Sequence, residues 1–472
     1  YVEGNRLPTR FDLNELQARP QAGGLVVATG QADLTDLENP VFQLVADADL
    51  PADALALTYG VELPEDVVLG NLTAEIQAGG DVRSQTAFAQ WQLAESTFPG
   101  TGEITLADNL VALDNTRLQV AGGTATAEAL LDIESRDWQA AIAAEQIAVE
   151  QFTTQAQGLL NADIEAAGNL NALDLNAIEA EGTALIADAQ IQLNPTSEPL
   201  LDRGDWTTAF RWEGDAIAVE SFSAPGVQAD GTIGVDLAQP KLIDALNLNV
   251  ALRSVDLQPL NSFAPPSLTD YGQVSGLASF DGQLFGTLEN PQIDGDARLD
   301  GLAANELLFE PLRGPIAFSL AEGGRVDLQG QQDRLQVALR DTSGESLPYW
   351  PVSFAVQNQE FVATGYSEGR LIHADVVQLP LSALNVQPAP QYGLGTVAGS
   401  LTASIDVNLA DFNDPTAAGS VTVAQPSLSP VDAEQFTASF AYANRTARLT
   451  QGELLFDDSR YLLAGSANLD FN

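Results

Sequence analysis

Along much of the chain, apolar and polar residues take turns. Between Gly226 and Leu237, Val227, Ala229, Gly231, Ile233, Val235 and Leu237 alternate with Gln228, Asp230, Thr232, Gly234 and Asp236. A period of two is that of a strand with one apolar face. The pattern returns in Leu246, Leu248, Val250 and Leu252, in Trp206, Thr208, Phe210 and Trp212, in Ile316, Phe318 and Leu320, and in Leu335, Val337 and Leu339. Glycine, asparagine and aspartate cluster between these runs, as hairpins require, so the spacing predicts mostly antiparallel β-structure. Helical spacing is confined to short segments, at Pro51–Pro64, Val255–Phe263 and Leu379–Leu384.

A longer period lies over the short one. VDLQPLNSFAPPSLTDYGQVSG at Val255–Gly276 parallels VQLPLSALNVQPAPQYGLGTVAG at Val377–Gly399; both reach Tyr-Gly and then Val-x-Gly. Asn290-Pro291 with Gly295 follows the first copy, and Asp414-Pro415 with Gly419 follows the second at the same spacing. The tetrapeptide LENP occurs at Leu37–Pro40 and again at Leu288–Pro291. Proline cannot donate to a central ladder and pushes the residue before it toward extended backbone, so each LENP should punctuate a strand end. Weaker copies begin near Leu57 and Val149, which divides the chain into units at 1–69, 70–157, 158–271, 272–392 and 393–472. Such repeats bury an apolar face only by joining into one continuous sheet, so the expectation is a single elongated region of a longer protein. At roughly 4.8 Å per strand, about 30 to 35 strands would extend about 150 Å.

Composition narrows the partners. In 472 residues, 19 Lys and Arg stand against 65 Asp and Glu, a net charge of −46, and Lys241 is the single lysine. That balance excludes nucleic acid and means that any lipid must be held by apolar contact rather than a basic patch. Apolar residues make up 45% of the chain, more than a disordered acidic polypeptide carries, so the chain folds. Cysteine is absent, which removes disulfides and thiolate chemistry; methionine is absent even at position 1, which points to a processed or internal portion of a longer chain. No apolar run reaches 18 residues and no signal-peptide pattern is present.

The succession V-D-L-x-P-L, a proline-containing spacer, Y-G-x-V-x-G and then L-x-N-P-x-x-x-G resembles the TamB and AsmA-like envelope family over most of residues 30–472, in a cyanobacterial style. The resemblance implies an all-β, elongated and curled repeat sheet, a β-taco or groove with a few short helical inserts. It further implies a periplasmic location in a Gram-negative-type envelope, anchorage in the inner membrane through an amino-terminal segment, an Omp85-type outer-membrane barrel as partner, and carriage of phospholipid acyl chains in support of outer-membrane biogenesis.

The residues themselves favour the same reading, because an open one-faced sheet has to cover its apolar side with helices, a second sheet or ligand. The groove candidates are Val227, Ala229, Ile233, Val235, Leu237, Leu246, Leu248, Val250 and Leu252. A scaffold that aids outer-membrane protein assembly without lipid, and a surface β-helix adhesin, are the alternatives. Enzymatic function is not expected. His373 is the lone histidine and no nucleophile-elbow motif surrounds a serine. Asp294, Asp296 and Asp300 read as a solvated turn, since Arg298 stands where an EF-hand needs an oxygen ligand. The glycine pairs at Gly79 and Gly323 read as hairpin turns. No cofactor or metal is implied. Trp206, Phe210 and Trp212 are either core or a ligand-contact patch.

Overall fold

The computed structural model describes residues 9–58, 67–81, 83–153, 156–172, 175–191, 203–236, 243–258, 274–305, 307–341, 349–359, 361–384, 397–410, 415–428, 431–457 and 459–468. It is 76% strand and 4% helix, so helices are too few to cover a sheet face. Strands pair antiparallel throughout and do not close into a barrel. The all-β repeat-sheet class with short helical inserts is therefore the class adopted. Two compact units divide the chain near β14 (Val227–Val235): Val227–Ala229 fall with the second unit and Asp230–Val235 with the first.

In the first unit the strands are β1 (Arg10–Ala18), β2 (Leu25–Asp33), β3 (Val41–Pro51), β4 (Asn71–Gly80), β5 (Gln85–Leu93), β6 (Gly100–Ala107), β7 (Leu110–Val120), β8 (Gly123–Asp132), β9 (Asp137–Ala148), β10 (Ala156–Asn169), β11 (Glu179–Ile191), β12 (Gly204–Trp212) and β13 (Ala216–Ala224). Each pairs with the next in sequence, a pure meander. Short connections make this the least costly topology, because loop-closure entropy is small at every step. The helix α1 (Ala52–Thr58) is inserted between β3 and β4, and Asp53 ties it back by accepting the N–H groups of Leu69 at 2.7 Å and Gly70 at 3.0 Å.

The second unit contains β15 (Ile243–Asp256), β16 (Val274–Gly286), β17 (Pro291–Ala304), β18 (Leu307–Leu308), β19 (Leu312–Ser319), β20 (Gly323–Gln329), β21 (Arg334–Asp341), β22 (Tyr349–Asn358), β23 (Phe361–Glu368), β24 (Leu371–Pro380), β25 (Ala398–Asn408), β26 (Thr416–Leu428), β27 (Val431–Asp432), β28 (Gln435–Ala443), β29 (Thr446–Phe456) and β30 (Ser459–Asn468). It is also a meander, except that the two-residue strands β18 and β27 fold back on the ends of β17 and β26, which pair onward with β19 and β28.

Prolines punctuate strand starts: Pro40 precedes β3, Pro291 opens β17 and Pro415 precedes β26. IDGDARLDG is strand rather than solvated turn, since Asp294, Asp296 and Asp300 all lie in β17 and Asp300 pairs with Arg298 at 2.7 Å. Gly79 and Gly323 likewise sit in strand ends, the turns lying just beyond them. The helical segment at Pro51–Pro64 is α1 over its described part, and Leu379–Leu384 contributes a single 3₁₀ turn at Leu381–Leu384. At Val255–Phe263, Val255 and Asp256 are strand and residues 259–263 lie outside the described residues, as do the Tyr-Gly pairs at 271–272 and 392–393.

The repeat has a physical signature that the residue pattern only hinted at. Gly158, Gly276 and Gly399 have φ of 137°, 133° and 127°, and the strand before each carries a left-handed residue, Gln146, Ser254 or Gln378, at 52°, 54° and 60°. Each of those residues is a bulge whose freed N–H is taken by the side chain three positions after the glycine: Asn161 Oδ1 at 3.1 Å, Ser279 Oγ at 3.2 Å and Thr402 Oγ1 at 3.2 Å. Gly70 with Thr73 repeats the glycine spacing at the start of β4. Only glycine tolerates these angles without strain, and the polar residue is needed to satisfy the bulged donor.

Candidate functional site

Strand register builds one apolar face across the first unit. Starting at Ala28, Ala46 faces Ile76, Ile76 faces Ala89, and Ala89 faces Ile104. The row goes on through Leu113, Ala129, Ala140, Ala166, Ala180 and Trp212 to Ile217 without a polar residue. It crosses every strand from β2 to β13, about 50 Å at the usual strand spacing. A parallel row one step along holds Ala127, Ile142 and Ile164. Most of these side chains are half-buried by their sheet neighbours, yet Ile104 is 38% and Ile142 42% exposed. Among the described residues of this unit no large side chain is fully buried; the buried apolar ones are Ala28, Ala48, Ala52, Ile147, Ala189 and Ala224. Alanine rows cannot interdigitate into a core, so the face stays shallow and open.

The opposite face is acidic. Asp47 stands opposite Glu75, Glu103 opposite Asp114, and Glu165 opposite Glu181, three like-charged cross-strand pairs of a kind that destabilises a sheet. Hydrogen bonds from Asn115 (2.7 Å), then Gln90 (3.1 Å), hold the Glu103 carboxyl below the usual glutamate range. Of two open grooves, one of about 740 Å³ is lined by Asp114, Glu128, Glu165, Glu179, Glu181 and Arg211 together with Ala129, Ala140, Ala166, Ala180 and Trp212 of the row, and one of about 600 Å³ by Asp47, Glu75, Gln90 and Glu103 together with Ala48, Ala74, Trp91 and Gly102. An anionic headgroup meets repulsion on this side.

The second unit closes its apolar side. Phe280, Ala297, Leu302, Phe309, Leu312 and Leu328 form one buried cluster, with Leu312 at 0% and Leu328 at 2% exposure. Phe309, just after β18, is brought over the sheet by the fold-back, and its N–H bonds to Leu302 O at 2.8 Å. Asp333, 2% exposed, locks the surrounding turns: its carboxylate accepts the N–H groups of Glu310 and Gln359, both at 2.8 Å, and Asn358 Nδ2 at 3.3 Å. Trp350 is fully buried with the Arg370 guanidinium 4.9 Å from its ring centroid.

The groove candidates divide accordingly. Val250 and Leu252 are partly buried against the Phe280 cluster, and Leu246 and Leu248 continue their face of β15. Val227, Ala229, Ile233 and Val235 are half-buried alternate positions of β14, and Leu237 lies outside the described residues. Trp206, Phe210 and Trp212 share the apolar face of β12, Trp206 meeting Phe222 edge-on at 6.1 Å. His373 Nδ1 lies 2.6 Å from Asp406 Oδ1, with the ring stacked on Tyr366 at 4.8 Å. Sequence reading passed over β8–β11, where the apolar rows are mostly alanine, a residue that signals neither face by itself.

Among the described residues no group of three or more His, Asp and Glu side chains could hold a metal, and no helix is long and apolar enough to cross a bilayer. No protein-family model, no curated protein and no solved structure matches this chain.

Proposed function

We infer that this chain is a lipid-carrying segment of a TamB-like bridge, working by binding rather than by catalysis, in which phospholipid acyl chains lie on the apolar face of the first unit. The observation that carries the reading is the unbroken apolar row from Ala28 to Ile217, with Ile104 in it and Ile142 in the row beside it open to solvent. Each CH₂ group moved from water onto such a face gains about 0.8 kcal/mol, so a chain of ordinary length needs only part of the row. In this reading the protein works in the periplasm, held by an inner-membrane anchor and meeting an Omp85-type barrel. The filled core of the second unit favours a scaffolding part for that half.

Photo-crosslinking tests the reading. A photoreactive residue at Ile142, on the apolar face, should capture phospholipid in a Gram-negative host, and the same residue at Ala141, paired with Glu165 on the acidic face, should not. Equal capture, or none at either position, leaves a scaffold without lipid.

A further inference from the structure

One polar side chain on the apolar face is buried there without a hydrogen-bond partner. In the run Leu113-Asp114-Asn115-Thr116, strict alternation would send residue 115 to the apolar side and residue 116 to the acidic one. Asn115 instead takes φ of 51°, forms a bulge and keeps its amide on the acidic side, donating to Glu103 Oε2 at 2.7 Å. The bulge shifts parity by one and turns Thr116 into the apolar face, opposite Ala127. There Thr116 is 6% exposed, and its Oγ1 is buried without a hydrogen-bond partner. An unsatisfied buried hydroxyl is a net loss of stability, and local rules are broken in this way mainly where function requires it.

The cover over that hydroxyl is Trp91. A methyl group at position 102 would lie 2.6 Å from Trp91 Cζ2 and 2.7 Å from Thr116 Oγ1, so indole and hydroxyl both sit over the bare backbone of Gly102. Glycine at 102 makes the seat that the ring occupies. From it the row Ala127, Ile142, Ile164 leads away across the sheet, a path suited to an alkyl chain.

We propose that Thr116 is a specificity residue whose hydroxyl donates to the carbonyl oxygen of a bound acyl group, with Trp91 covering it until the ligand displaces the ring. The ligand class is then an alkyl chain ending in a carbonyl, as in a glycerolipid ester or a free fatty acid, and not a hydrocarbon or an ether. The inference rests on the lipid reading above.

The test offers the full chain vesicles of dioleoyl phosphatidylcholine, vesicles of its diether analogue, or oleate, with capture at a photoreactive residue placed at Ile142. The chain with Thr116 intact should take the ester over the ether about 3- to 10-fold, the span of one neutral hydrogen bond. Thr116→Val, which keeps the shape and loses the donor, should bring ester and ether level, and Thr116→Ser should restore the preference. Oleate captured with the same dependence on the hydroxyl would make the free acid a ligand as well; ester dependence alone would restrict the site to glycerolipids. Ester and ether captured equally by the chain with Thr116 intact would overturn the role of Thr116 while leaving the lipid reading intact, and that comparison needs no change at Thr116. Capture of neither lipid would overturn both.

Discussion

The two units are built from the same meander and the same bulge-and-glycine repeat, yet they treat their apolar faces in opposite ways. The first spreads small residues along an open row; the second gathers Phe280, Phe309, Leu312 and Leu328 under a fold-back of a few residues. Alternation in the strands is equal in both, so it does not decide whether a face closes. Side-chain volume and what the connecting segments bring over the sheet decide it. Leu307 and Phe309 supply cover in the second unit, and Asp333 pins the turns beside it. In the first unit, α1 buries only Ala52 and leaves Leu57 at 70% exposure, and the 3₁₀ turn at Val149–Gln151 buries nothing.

The comparison breaks most easily at Leu312. Leu312→Ala should cost about 3–5 kcal/mol and raise hydrogen exchange across β16–β21, whereas Ile142→Ala should cost under about 1 kcal/mol because the side chain is already partly in water. Comparable losses at both positions would mean that the first unit has a closed core after all. Next in size is Asp333→Ala, which removes the acceptor for two part-buried backbone donors at about 1 kcal/mol each, read as faster exchange confined to probes in the second unit. Thr402→Ala frees the bulged N–H of Gln378 and should cost about 0.5–1.5 kcal/mol; Asn161→Ala at the equivalent place should match it within a few tenths, and unequal effects would show that the repeats are not energetically equivalent.

The smallest effect is one of pH. The Asp81 carboxyl is held below the usual range by Asn39, then by the Arg83 and Ser84 N–H groups, and Asp137 is held low by Asn169 and then Ser135. A carboxyl whose folded pKa is depressed contributes stability above its unfolded value, near 4, and loses it as pH falls through the folded value. Exchange at Arg83 and Ser84 and in the turn at 133–136 should therefore accelerate only below about pH 4. Acceleration already at pH 5–6 would show that these hydrogen bonds do not control the turns.

Much of the fold was legible because its information is local. Alternation marked Val227–Val235 and Leu246–Leu252 as strands, and the repeated Asn-Pro pair fell at the starts of β3 and β17. The candidate site was legible only in kind. An apolar face was expected, but Val250 and Leu252 lie against a filled core, and the open row through Ala129, Ala140 and Ala166 drew no notice. Thr116 could have been found only by knowing that Asn115 forms a bulge, and nothing in L-D-N-T-R-L distinguishes a bulge from regular strand.

Sequence by itself determined the secondary structure, the antiparallel meander, the spacing of the repeated glycines and the excess of negative charge, since each follows from neighbouring residues or from simple sums. Tertiary structure alone decided which side of a strand a residue reaches after a bulge, which apolar face is covered and which is left open. Those outcomes depend on register between strands and on segments distant in the chain, where one inserted residue reverses every side chain beyond it.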